Sequence, residues 1–81
     1  MNWFVYIVMC SDMSLYTGIT TDLERRVKEH NSKKGAKALK GKLPVVLVHS
    51  EECLNRSEAS KRESVIKSLP RTEKIKIYSQ I

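Results

Sequence analysis

The chain has little with which to brace itself covalently: its two cysteines, Cys10 and Cys53, stand alone. Neither has a second cysteine two residues away, so no zinc or redox pair is encoded. A spaced cysteine framework of the kind secreted domains use is also missing. These absences predict a reduced, intracellular protein of the cytoplasm. Long hydrophobic runs are missing as well. The opening run, WFVYIVMC, has eight residues, well short of the ~20 a spanning helix needs, and it lacks the basic start and small-residue cleavage site of a signal peptide. No membrane role is expected. Length is the third scarcity: a chain of 81 residues buries only about 60% of its unfolded surface and supports one core. One domain, 1–81, is expected, with any active site on the edge of its core.

Acidic residues are scarce in one place. From Arg25 to Lys42 there are eight bases (Arg25, Arg26, Lys28, Lys33, Lys34, Lys37, Lys40 and Lys42) against the single acid Glu29, while the remainder carries seven bases against eight acids. The net charge of +6 is therefore local. One basic segment on an otherwise balanced chain is the electrostatic footprint of a polyanion-binding surface, or else a solvated face kept for solubility.

The apolar, β-branched and aromatic run Trp3–Cys10, the polar turn SDMS and the run LYTGIT predict a β-hairpin. Thr21 with Glu24 predicts a capping box and a helix from about Asp22 to about Asn31. Gly35 and Gly41 punctuate a lysine-rich connection with room for one short helical turn. A third strand is expected from about Val45 to His49, with Pro44 at its first position. Asn55 with Glu58 predicts the cap of an amphipathic helix ending at about Leu69, where Pro70 stops it. The tail RTEKIKIYSQI reads as helix through Lys74, Tyr78 and Ile81 or as strand through Ile75 and Ile77; a short helix with Pro70 in its first turn is expected. The sum is an α+β arrangement, a small three-stranded sheet flanked by helices.

Some side chains sit where packing does not ask for them. On a helical wheel of ~100° per residue, Leu23, Val27, His30 and Arg26 share one side of the first helix, while Arg25 faces solvent. Arg26 and His30 are thus neighbours beside the apolar stripe. On the later helix Glu63 falls inside the arc of Ala59, Ile66 and Leu69, where a carboxylate is costly unless paired or bound to a cation. Strand alternation puts Tyr6 and Tyr16 on a common face if the hairpin loop holds an odd number of residues, such as Ser11 to Met13; an odd loop is expected. Plain structural readings exist for each. Arg26 is then a snorkelling surface residue, His30 a helix C-terminal cap and Glu63 an ion-pair partner of a base such as Arg26; the tyrosines are packing aromatics.

Taken in order, VYI at Val5 to Ile7, YTG at Tyr16 to Gly18, Arg26, His30 and Glu63 resemble the GIY-YIG nuclease superfamily. The continuation YTGITTDLERRVKEHN, GAKALKGK, the strand after Pro44 and the helix with its RE-x-x-IK-x-L pattern resemble its small bacterial stand-alone, UPF0213-like branch. The resemblance covers essentially the whole chain. It implies a three-stranded antiparallel sheet flanked by helices and a metal-dependent phosphodiester hydrolase, with catalytic residues Tyr6, Tyr16, Arg26, His30 and Glu63. Phe4 and Val5 replace the glycine and isoleucine of the family's first motif, and Ile19 stands where excision-repair relatives have lysine. The two tyrosines are one residue closer than in larger relatives, and Pro70 stands where a helix-capping serine is expected.

The chemistry expected on this basis is hydrolysis with one Mg²⁺ or Mn²⁺ on Glu63 and a tyrosine as general base, Tyr6 ahead of Tyr16. Arg26 clamps phosphoryl oxygens, and His30 orients a tyrosine or protonates the leaving group. Gly18, Lys33, Lys34, Lys37, Lys40 and Lys42 meet the nucleic-acid backbone. DNA is the expected partner, with RNA open and no organic cofactor; by analogy alone the substrates are branched or damaged structures met in repair or recombination. The alternatives are a nucleic-acid-binding module without turnover, and a protein-interaction domain whose basic face docks an acidic partner.

Overall fold

A strand in the middle of a sheet is covered on both sides, so it needs apolar side chains at successive positions, and Val5 to Val8 supply them. The computed structural model describes residues 2–79. In it β1 (Trp3–Met9) lies between β2 (Leu15–Thr20) and β3 (Val46–Cys53) in an antiparallel sheet ordered β2-β1-β3. Alternation along β1 divides the core in two. Tyr6, Val8 and Cys10 pack with Leu39 and Val45 against Leu23, Val27 and Leu43. Val5 and Ile7 pack on the opposite face with Ile66, joined by Val48 and Ile77. The expected α+β fold, a three-stranded antiparallel sheet flanked by helices, is what forms.

Hairpin parity comes out odd. Cys10 N–H donates to Ser14 O at 2.8 Å and Met13 N–H to Cys10 O at 2.9 Å. Tyr6 therefore pairs with Gly18, and Val8 with Tyr16, which places both phenols on one face.

Helix α1 (Leu23–Asn31) is capped differently from the sequence expectation. Asp22, not Thr21, is the N-cap: its Oδ1 accepts from Arg25 N–H at 3.0 Å, and its charge also suits the positive end of the helix dipole. Thr20 Oγ1 accepts from Asp22 N–H instead. The far end closes through Lys33 N–H to His30 O and Lys34 N–H to Glu29 O, the paired bonds of a Schellman motif. Lys33 occupies the left-handed position, φ 68°, where glycine is the usual residue. The lysine-rich connection that follows holds one 3-10 turn, Lys37–Leu39. Both its ends are tied down: Asn31 donates to Val45 O at 3.1 Å and accepts from Val45 N–H at 2.7 Å, and Ser11 N–H donates to Lys42 O.

Strand β3 runs on to Cys53, past the His49 at which the polar EEC was expected to end it. The reason lies opposite. Glu51 points at α2 (Arg56–Ser68) and accepts both Arg62 Nε at 2.8 Å and Arg62 Nη2 at 3.1 Å, so its charge is matched inside the sheet-helix layer. Helix α2 is capped by Asn55 Oδ1 on Glu58 N–H, as expected, and packs chiefly on β2 and β1. The tail is helical, α3 (Arg71–Tyr78), with Pro70 as its N-cap rather than inside its first turn. Ile81, the third residue of that helical pattern, lies outside the described residues. Among the described residues no helix is long and apolar enough to cross a membrane.

Candidate active site

The buried residue of α1 is neither Leu23 nor Val27 but His30, 1% exposed. Its ring forms a triangle with those of the two tyrosines. Centroids lie 6.0 Å from Tyr6 and 5.6 Å from Tyr16, with the tyrosines 6.5 Å from each other. His30 Nε2 is 2.8 Å from Tyr6 Oη. On the other side of the ring, Ala36 N–H donates to Nδ1 at 3.4 Å. An imidazole that accepts at Nδ1 carries its proton on Nε2, so His30 donates to the Tyr6 oxygen and leaves the phenol's own proton free to point elsewhere. Burial first, then the charge of Arg26, holds His30 below the usual histidine value of 6.5, against an opposing pull from Glu29. The ring is neutral at pH 7.

Tyr6 is 1% exposed, and its ring end lies against Gly18 of β2. A Cβ built on Gly18 would sit 2.6 Å from Tyr6 Oη and 2.8 Å from its Cζ, so here glycine makes room for the phenol. Burial is the main influence on that phenol and raises it above 10.0. Arg26 pulls it down, while Tyr16 and Glu63 push it up. The resting site therefore holds Tyr6 protonated.

Arg26 is part-buried, and its Nη1 donates to Glu29 Oε1 at 3.1 Å. Burial works against its charge, but Glu29 and Tyr6 outweigh that cost and raise it. Arg25, by contrast, extends into solvent. Glu63 lies on α2 with its side chain 22% exposed, and its charge is the smallest of the influences on the Tyr6 phenol. Its ion pair is with Lys67 at 3.3 Å on the same helix, not with Arg26 as the sequence alternative had it. Tyr6, Tyr16, Arg26 and His30 thus converge from the hairpin and α1, and the Glu63 charge acts on the same phenol.

Among the described residues no three of His, Cys, Asp and Glu are grouped around a common point. Such a donor set does not make a closed zinc-type cage. A single part-exposed carboxylate such as Glu63 fits a hydrated Mg²⁺ or Mn²⁺, which keeps most of its water and takes one or two carboxylates.

The candidate backbone-binding lysines divide. Lys33, Lys37 and Lys40 line a common cavity beside His30. Lys34 is exposed outside it, and Lys42 faces Asp12 at 3.9 Å. Two features escaped the sequence reading. Gly35, read there as loop punctuation, packs on His30: an added Cβ would overlap Nδ1 and fall 2.8 Å from the His30 Cα. The second is the trio of Glu51, Arg62 and His49, where His49 Nε2 lies 2.8 Å from Glu51 Oε2. The hydrogen bonds from Arg62 are the main reason the Glu51 carboxyl titrates below its ordinary value.

Residues 2–76 match the family described as the GIY-YIG catalytic domain. A UPF0213 protein of Desulfotalea psychrophila is 59% identical over 73 residues, covering 89% of this chain and 66% of that protein. A UPF0213 protein of Staphylococcus haemolyticus is 49% identical over 77 residues, covering 95% of this chain and 94% of that one. Among solved structures, the UPF0213 protein of Bacillus halodurans superposes with a TM-score of 0.62 at 44% identity, covering 98% of this chain and 84% of that one. A protein from E. faecalis gives 0.65 at 40% identity, with 95% and 82% covered.

Proposed function

Because the chain belongs to the GIY-YIG catalytic domain family, which implies nuclease chemistry, we propose that it is a metal-dependent endonuclease hydrolysing phosphodiester bonds of DNA. The observation that supports this most is the buried Tyr6–His30 contact of 2.8 Å, with Arg26 and Glu63 both acting on the Tyr6 phenol. An aromatic packing cluster needs neither charge.

Phosphodiester hydrolysis requires a deprotonated water, stabilisation of charge on the phosphoryl oxygens and a proton for the leaving oxygen. The Tyr6 phenol first gives its proton to solvent, and His30 stabilises the phenolate through Nε2–H, which stays in place because Ala36 N–H holds the tautomer. The phenolate Oη then takes the proton from the attacking water and returns to the phenol. Arg26, permanently charged, binds the phosphoryl oxygens and favours the same phenolate. Tyr16, paired on the neighbouring strand, positions water or phosphate. A divalent ion on Glu63 would supply Lewis-acid charge and a more acidic water, and would cancel the negative charge that now raises the Tyr6 phenol.

Incubating the protein with supercoiled plasmid, with and without Mg²⁺, beside Glu63→Ala and Arg26→Ala, tests this reading. Nicking that requires metal and both side chains is expected. Salt-sensitive gel shifts without nicking would leave a binding module, and nicking unaffected by Glu63→Ala would remove the proposed site.

A further inference from the structure

The lysine-rich connection between α1 and β3 does not lie flat. It folds around a cavity of about 590 Å³. At ~30 Å³ per water this has room for about twenty waters, far more than one phosphate group fills, and it lies within the ~300–1,000 Å³ of sites that hold small organic ligands. Its lining has two chemistries. Lys33, Lys37 and Lys40 are exposed cations, whereas Ala36, Leu39 and Leu43 form an apolar wall that is buried or half-buried. A bare phosphate has no use for the wall, and a purely apolar ligand has none for the lysines.

Two further observations say that the shape is held. The loop is pinned at Asn31–Val45 and at Lys42 O. Lys33 stands in left-handed backbone at φ 68°, a strain that points to use of its side chain, because glycine would be cheaper there. His30 belongs to both the cavity lining and the tyrosine cluster. The His30 ring is therefore the wall shared by the cavity and the tyrosine cluster.

We infer that this cavity is a subsite for one unpaired nucleotide flanking the phosphate to be cleaved, its own phosphate on Lys33, Lys37 and Lys40 and its base against Ala36, Leu39 and Leu43. The inference rests on the nuclease reading and adds a substrate class to it. A base must leave the helical stack to enter such a cavity, at a cost that is least where it is already unpaired. The enzyme therefore prefers nucleic acid with an unpaired nucleotide beside the scissile bond over continuous duplex.

The test uses the full chain and needs no turnover. Amide resonances are followed by NMR during titration with a deoxynucleoside 5′-monophosphate and, separately, with inorganic phosphate. Gly35, Ala36 and Gly41 are expected to shift with the nucleotide and much less with phosphate at equal concentration, and Lys37→Glu with Lys40→Glu, both exposed, should abolish those shifts in a folded protein. Equal shifts with both anions, or shifts centred on Lys61 and Lys76, would overturn the subsite. Binding by the Glu63→Ala variant is measured in parallel on duplex, on duplex with a one-nucleotide bulge and on the same bulge made abasic. The bulge should bind about tenfold tighter than duplex and lose that gain when the base is removed; equal affinities would contradict the inference. Base-dependent binding without any nicking by the unaltered protein keeps the subsite and removes the nuclease reading. Nicking indifferent to the unpaired base does the reverse.

Discussion

Lys33→Gly is expected to make the protein more stable and a worse binder at once. Left-handed backbone costs an L-residue ~1–2 kcal/mol, and Lys33 bears that cost at φ 68° while closing α1 through its N–H to His30 O. Glycine removes the strain and keeps the hydrogen bond. Its greater freedom in the unfolded chain takes back ~0.5–1 kcal/mol, leaving a net gain of ~0.5–1 kcal/mol. For a domain of this size each kcal/mol moves the melting temperature by ~4–8 °C, so thermal unfolding followed by circular dichroism should show a rise of ~2–8 °C. The same variant loses a cation from the cavity. If Lys33 neutralises one phosphate, the slope of log affinity for duplex DNA against log salt should become shallower by about 0.9. A higher melting temperature with an unchanged slope refutes the binding role. A lower melting temperature refutes the strain argument, since it would mean that the lysine makes contacts worth more than its backbone costs.

Gly18→Ala should destabilise by ~1–3 kcal/mol through overpacking, because the added Cβ meets a buried ring that has nowhere to move. Adding Tyr6→Phe should recover part of this, as the nearest contact is the hydroxyl; additive losses in urea unfolding would contradict the packing. Glu51 titrates below its ordinary value of 4.5, so its contribution is complete above that pH and fades as pH falls through the lower folded value. Urea stability of Glu51→Gln should accordingly fall less between pH 5 and pH 2 than that of the parent, and parallel curves would rule the contribution out. His30 titrates below 6.5 in the folded protein, so the unfolded chain takes up its proton first and stability falls as pH drops through 6.5. Nicking, which needs the neutral ring, should lose activity as His30 takes up a proton below that value, and nicking that instead rises as pH is lowered through that range would mean that His30 acts as a cation.

Much of the site was legible because it obeys two periodicities. Loop parity alone placed Tyr6 beside Tyr16, and helical spacing placed Arg26 and His30 on the sheet side of α1. What was missed depends on contacts between distant segments. Glu51 and Arg62 lie eleven positions apart and meet only in the fold, so the strand was ended too early. Gly35 read as a turn residue because glycine signals loops by composition, while its use against His30 is a matter of close approach. The Thr21 cap failed because Asp22, one residue on, caps better with a charged oxygen. The lysine run announced its charge but not its concavity, which comes from Leu39 and Leu43 turning inward.

The proposed hydrolysis requires a divalent ion held at Glu63 within reach of both tyrosines. Substoichiometric Mn²⁺, added while amide resonances are recorded, broadens signals near its binding site. Broadening centred on Tyr6, Gly18 and Glu63, and abolished by Glu63→Gln, is the predicted result. Broadening centred elsewhere, on Asp12 or Glu73 for example, or unchanged by Glu63→Gln, would contradict it.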